Sequence, residues 1–265
     1  MIVPPLGSYF ADATMAAFED FEAFRRDNQH RLDSLYVYQL SLASAEPTIR
    51  RSGACAICLH PTEFTSNTAG GELTERGMVP EWREQQHCGC GFALRSRERV
   101  LIHAWLRASM AEQPNLALVV GHAASVGDWL EAHTCPVVRE GALDPKTLRL
   151  PHGDAAFDVV FSSEYLDQVP QLDRLLAEVH RVLRSRGMFV FTVAFHFLEL
   201  STRTVSLDGA DSEAPWLERS IHAFGWDILD RLRAAGFIDA QLTMPWSEEF
   251  GYIGCFNAVF TAVRP

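Results

Sequence analysis

The chain has 265 residues, 48% of them apolar and 22% charged, with a formal net charge of −11. This is an ordinary globular composition, enough for one full domain and a small appendage. No apolar run approaches the ~20 residues that span a bilayer, the opening MIVPPLGSYFADATM lacks the features of a secretory leader, and the acidic balance argues against a broad nucleic-acid footprint. The reading is a cytoplasmic protein with neither membrane nor nucleic acid as partner.

Residues 1–46 form a first segment. From Thr14 to Ser44 the apolar positions Met15, Phe18, Phe21, Phe24, Leu32, Leu35 and Leu42 predict a helical arm. It either packs on the main body or serves as a lid or as a homodimer contact through these helices. Glu46-Pro47 closes the pattern.

Residues 47–113 form a second segment. Cys55-Ala56-Ile57-Cys58 and His87-Cys88-Gly89-Cys90 hold four of the six cysteines. Two short knuckles of paired thiols suit a tetrahedral zinc ion, and a site filled by four protein ligands is structural. Disulfides are the competing reading, disfavoured in a chain without an export signal. The ligand set is Cys55, Cys58, Cys88 and Cys90, with His87 as the alternative to Cys88 because an x2 spacing would pair it with Cys90. Arg95, Arg97, Arg99 and Arg107 follow on a helix with Val100, Leu101, Ala104, Trp105 and Leu106. They form either a solvated basic face or a grip on an anionic substrate group.

Residues 114–265 read as the main α/β domain. Leu116 to Gly121 is a first strand, and Gly121-His122-Ala123-Ala124-Ser125-Val126-Gly127 is the turn behind it, where glycines let backbone approach a ligand. Pro136 to Arg139 is a second strand ending in Glu140, the place of the ribose-hydroxyl acceptor in nucleotide-binding α/β folds. The interval from Glu140 to Phe157 is short for a helix and a strand, so the third strand shrinks to Thr147–Leu150 and its helix is lost. Asp158 to Phe161 is a buried strand. Leu172, Leu175, Leu176, Val179, Val182 and Leu183 then recur at helical spacing, Gly187 is read as the left-handed stop, and Met188 to Ala194 is a second buried strand. Strand, crossover helix and strand place ligands outside the carboxyl ends, at Ser162-Ser163-Glu164-Tyr165 and Ala194-Phe195-His196. A polar insertion, Ser201 to Ile221, precedes a last helix, and Trp216 or His222 could line a substrate pocket. Asp239 to Arg264 supplies two more strands, the final one Ala258–Val263. Cys135 and Cys255 stand alone and read as small core residues.

FDVVFSSEYLDQVP, its helix and RVLRSRGMFVFTVA resemble the later motifs of class I S-adenosylmethionine-dependent methyltransferases of the type 11 kind. The likeness continues at Phe224 to Leu229 and at Leu232 to Phe237. It implies a Rossmann-like α/β sheet, mostly parallel with the last strand antiparallel, preceded by the helical arm and a small zinc module of the sort some bacterial relatives carry. It implies methyl transfer from S-adenosylmethionine to a small-molecule acceptor, such as a sugar or natural-product intermediate. The cofactor-binding candidates are Gly121, His122, Gly127, Glu140, Asp144 as the adenine-side acid, Ser162 and Ser163. Catalytic candidates are His196, which can take a proton near neutral pH, with Tyr165 and Glu164. Two departures stand out: the acidic and glycine-rich first loop is reduced to Gly121 and Gly127, and the family's Glu-His appears as Asp167-Gln168. They motivate the alternative of a methyltransferase fold that has lost or changed its reaction, as a non-methylating enzyme or a binding or assembly protein.

Overall fold

The computed structural model describes residues 14–18, 20–108, 114–121, 123–141, 143–144, 146–204, 221–254 and 257–265. The first described element is a strand, β1 (Thr14–Phe18), and helix α1 (Phe21–Ser41) follows it. This corrects the helical reading from Thr14. Asp20 is the helix N-cap, its carboxylate accepting from the Ala23 amide at 2.7 Å, so residues before it lie outside the helix. They pair instead with a sheet edge whose N–H and C=O groups would otherwise be open. Phe24 and Leu32 of α1 are buried in the main core.

The cysteine-bearing segment is a three-stranded antiparallel sheet of β2 (Thr48–Cys55), β3 (His60–Asn67) and β6 (Gln86–Cys88). Between its second and third strands lie the hairpin of β4 (Glu72–Thr74) and β5 (Gly77–Val79) and the short helix α2 (Trp82–Gln85). Helix α3 (Ser96–Ala108) then leads into the α/β part: β7 (Ala117–Gly121), α4 (Ala124–His133), β8 (Val137–Glu140), β9 (Phe157–Ser163), α5 (Leu172–Val182) and β10 (Leu183–Thr192). The chain finishes with the small pair β11 (Arg203–Thr204) and β12 (His222–Ala223), helix α6 (Asp227–Ala234), β13 (Ile238–Trp246) and β14 (Val259–Val263).

The main sheet runs β1-β13-β14-β10-β9-β7-β8. β8, β7, β9 and β10 are mutually parallel. β14 is antiparallel to both β10 and β13, which turns β13 back to the direction of the parallel four and leaves β14 and β1 opposed. The mostly parallel α/β sheet with an antiparallel last strand is thus observed. Among the described residues no third strand follows β8. Thr147–Leu150 is a correction: Leu148 has φ 46 and its amide closes a turn on the Asp144 carbonyl at 2.8 Å. Leu148 and Leu150 enter the core from this loop, which Glu178 pins through the Leu150 amide at 3.1 Å. Too little chain separates Glu140 from Phe157 to build helix and strand, and the loop buries its two leucines without them.

Gly187 needs a second correction. The left-handed residue after α5 is Arg186, φ 63. Gly187 lies inside β10, where a Cβ would stand 2.8 Å from the Arg184 carbonyl oxygen, so close backbone approach requires the glycine.

Alternation along the strands divides the core between the two faces of the sheet. Val160, Phe189, Phe191 and Phe260 face α1, α5 and α6. Val119, Phe161, Val190 and Val259 face α3 and α4, and Cys55, Phe64, Cys88 and Leu94 of the cysteine segment belong to the same buried cluster. No helix among the described residues is long and apolar enough to cross a membrane. Phe161, fully buried and edge-to-face with Trp105 at 5.5 Å, joins that cluster to the sheet. Phe161→Ala should lower stability by about 3–5 kcal/mol in denaturant unfolding. A loss below about 1 kcal/mol would show that the two layers do not depend on this contact.

Candidate functional site

The parallel strands end together. Gly121 closes β7, Glu140 closes β8 beside it, Ser163 closes β9 between Gly121 and Thr192 of β10, and the chain leaves each into a loop on one rim. In open α/β sheets that rim is where ligands bind.

Gly121 has φ 85, which favours glycine. A Cβ there would stand 2.6 Å from both Cβ and Cγ of Tyr165. The Tyr165 ring therefore lies directly on the Gly121 backbone, and its hydroxyl accepts a hydrogen bond from the Leu143 amide at 2.8 Å. Tyr165 is buried, 5% exposed. It starts from the loop after β9, crosses the end of β7 and finishes on the loop after β8. Glu140 accepts from or pairs with His152 Nε2 at 2.9 Å and remains partly accessible.

Glu164 carries a left-handed backbone, φ 50, unusual for a residue with a Cβ. Its carboxylate takes the Arg83 guanidinium of α2, which also donates to the Val193 carbonyl at 3.1 Å. Burial pushes the Glu164 carboxyl pKa up, and the Arg83 charge opposes that rise. Arg97 donates to Glu84, and Arg95 approaches it at 3.7 Å. Ser163 Oγ lies 3.1 Å from Thr192 Oγ1, while Ser162 Oγ is buried without a partner among the described residues. His196, half-buried on the loop after β10, has its pKa lowered, first by burial and then by Arg203.

The other residues singled out in the sequence lie as follows. Gly127 is inside α4, where a Cβ would stand 2.8 Å from Arg139 Nε, so the turn after β7 is shorter than the expected Gly121–Gly127. Asp144 is exposed and caps its own turn, accepting from the Lys146 amide at 2.9 Å. His122, Trp216 and Cys255 lie outside the described residues. Of the arginines, Arg99 is fully buried and structural, Arg97 is paired, and Arg107 is exposed. His222 does line a cavity, of about 420 Å³, at the N-terminus of α5 with Thr202, Thr204, Arg174 and Arg231. Arg83 and His152 escaped the sequence reading. Each is an ordinary polar residue in a polar stretch, and only the fold brings it to the rim.

The cysteines form a second centre. The sulfurs of Cys55, Cys58 and Cys88 all lie within 4.8 Å of one another, with Cys58 and Cys88 Sγ 3.8 Å apart. Cys90, the fourth expected ligand, is not in that group of sulfurs; it donates its amide to Cys88 Sγ at 3.4 Å, as the Cys58 amide does to Cys55 Sγ at 3.4 Å. Hydrogen bonds from Cys58 and Cys88 hold the Cys55 thiol down at about 3, and the same sharing pushes Cys58 up. His87 is turned away, its Nδ1 3.1 Å from the Ala93 carbonyl oxygen.

Residues 131–191 match the family model described as a methyltransferase domain. A search of the curated proteins finds no match. Among solved structures, the chain is similar to the 1,6-didemethyltoxoflavin-N1-methyltransferase of Burkholderia thailandensis, with bound 1,6-didemethyltoxoflavin and S-adenosylhomocysteine. That likeness has 20% identity, TM-score 0.44, and covers 64% of this chain and 78% of that one. An S-adenosylmethionine dependent methyltransferase from Mesorhizobium loti gives 17% identity, TM-score 0.40 and coverages of 62% and 98%. The [4+2]-cyclase SpnF gives 17% identity, TM-score 0.38 and coverages of 63% and 81%. The matched residues run from the end of α4 to Phe191 in β10 and so include β8, β9 and α5.

Removing Arg83 would leave the Glu164 carboxyl buried without its counter-charge, and its pKa, already raised by burial, would rise further. A native pKa above the unfolded value means the folded chain binds the extra proton. Stability then falls as pH rises through the native pKa and returns below it. Arg83→Leu should be about 3–5 kcal/mol less stable than the parent at about pH 8, with the deficit shrinking toward about pH 5, in paired denaturant titrations. A deficit that stays constant with pH would dissociate Glu164 from Arg83.

Proposed function

We propose that the chain is an S-adenosylmethionine-dependent methyltransferase acting on a small-molecule acceptor, with a structural zinc ion in the cysteine segment. The observation that carries the first part is Glu140. It stands at the carboxyl end of β8 opposite Val120, one residue before Gly121 on the neighbouring strand, and it falls inside the segment that matches the methyltransferase-domain model.

A nucleoside cofactor fits this rim with one condition. Glu140 offers a carboxylate to ribose hydroxyls, and Gly121 presents bare backbone beside it. The Tyr165 ring, however, rests on Gly121, so the cofactor enters only when that ring moves. When bound, S-adenosylmethionine supplies an electrophilic methyl group. The chain's own part is then to orient the acceptor and exclude water, since in-line transfer depends mainly on proximity and alignment. His196, whose pKa burial lowers, is the candidate to receive a proton from the acceptor. Glu164, already neutralised by Arg83, is a positioning residue for the loop. Asp144, Ser162, Ser163 and Gly127 remain candidates for the cofactor side. In the cavity beside Arg174 and Arg231, Arg231 is held by Asp173 and Asp227, which leaves Arg174 as the cation for an anionic group of the acceptor. The reading of a fold that no longer methylates is favoured by one observation, the Tyr165 ring in the cleft.

Calorimetric titration with S-adenosylhomocysteine tests the cofactor. The parent should bind, and Glu140→Ala should weaken binding roughly tenfold to a hundredfold, as loss of a hydrogen bond to a charged group implies. Absence of binding by folded parent protein and by every open-cleft variant would remove the proposal.

For the metal, three sulfurs within 4.8 Å of one another and amide donors on two of them support a thiolate site, with Cys90 two residues from Cys88 as the fourth ligand that would complete the tetrahedron. Purified protein should contain close to one zinc ion per chain by elemental analysis. Cys88→Ser should lose the metal and about 4 kcal/mol or more of stability. A fully folded, metal-free preparation with free thiols would end the zinc assignment.

A further inference from the structure

We infer that Tyr165 is an internal gate: in the ligand-free protein its side chain occupies the nucleoside cleft, and it must swing out before a cofactor binds. This rests on the reading of the cleft as a cofactor site. Three observations converge on it. The ring stands so close to Gly121 that even a methyl group there would meet it at 2.6 Å. The hydroxyl is latched by the Leu143 amide at 2.8 Å, so the side chain spans from the end of β7 to the loop after β8, across the interval that a nucleoside held by Glu140 would need. The side chain is also almost fully enclosed, at 5% exposure, so it fills the cleft and does not merely border it.

The backbone beside the gate has the character of a hinge. Glu164, immediately before Tyr165, is held at φ 50, a conformation that persists in a non-glycine residue only when its surroundings enforce it. The enforcing contacts are the Glu164 amide on the Thr192 carbonyl at 3.0 Å, the Gln168 side-chain amide on the Glu164 carbonyl at 2.8 Å, and Arg83 on the carboxylate. Relaxing φ at Glu164, with compensating torsions in the same loop, would redirect the Cα–Cβ bond of the next residue. An open form therefore needs a change within that loop, not a rearrangement of the sheet. A protein whose binding-competent form is a minor fraction shows an apparent affinity reduced by that fraction.

The test uses the full chain and two variants. The gate in its closed position predicts that Tyr165→Phe, which keeps the ring and removes the latch, raises hydrogen exchange of the Leu143 amide at least ~tenfold. Unchanged exchange overturns the closed position. Tyr165→Val, which empties the cleft, should bind S-adenosylhomocysteine at least ~tenfold more tightly than the parent by calorimetry. Equal or weaker binding by the variant, with the parent binding, overturns the gate and leaves the cofactor reading in place. Binding by neither protein, both shown folded by circular dichroism, overturns the gate and the cofactor reading together.

Discussion

The arrangement depends on one buried cation. Arg99 of α3 is fully enclosed and donates to Gln86 Oε1 at 2.6 Å and to the Phe250 and Gly251 carbonyls at 2.7 and 3.2 Å. Its guanidinium carbon lies 4.4 Å from the Phe64 ring centre and 5.3 Å from that of Tyr252. One side chain thus joins β3 and β6 of the cysteine sheet to the loop between β13 and β14. A guanidinium without counter-charge is expensive to bury, and no carboxylate pairs with Arg99 among the described residues. The cysteine cluster lies in its field: hydrogen bonds from Cys58 and Cys88 lower the Cys55 pKa first, and the Arg99 charge adds to that. Through Gln86 the arginine also fixes the strand that carries Cys88.

The same geometry connects the cysteine sheet to the rim of the main sheet. Arg83 precedes Cys88 on the continuous run of α2 into β6, and its guanidinium reaches Glu164 and the Val193 carbonyl at the ends of β9 and β10. Anything that loosens β6 therefore also loosens the grip on Glu164. The charged cluster so formed interlocks three arginines with two carboxylates, Arg97 and Arg95 on Glu84 and Arg83 on Glu164. Of the basic run read from the sequence, Arg95 and Arg97 are thus engaged by Glu84 and Arg99 is buried, while Arg107 is exposed.

What was legible in the sequence was what repeats locally. The apolar spacing of Leu172 to Val182 and the flanking runs placed β9, α5 and β10 because period and composition both act within a few residues. The paired cysteines were legible for the same reason. The errors arose where distant chain decided. Thr14–Phe18 has helix-compatible residues, but the open edge of β13 takes it as a strand. Thr147–Leu150 has the composition of a strand but too little chain to reach an edge. Arg186 rather than Gly187 takes the left-handed turn, because Gly187 is needed where β10 crowds the Arg184 and Asp158 carbonyls.

Tyr165 shows the same division at the site itself. In the sequence it is one residue of a loop after a strand, and its position marks it as a rim residue and no more. The reduced glycine loop at Gly121 reads as a lost motif. Brought together, the two explain each other. Tyr165 lies on Gly121, and a side chain at Gly121 would collide with it. The glycine that a cofactor would require is thus the same glycine that the ring requires, so its retention alone does not distinguish a working cleft from a closed one. Glu140 is the independent element of the rim: the final residue of β8, in register with Val120 of β7 and 2.9 Å from His152, it owes its place to the strand and not to the ring.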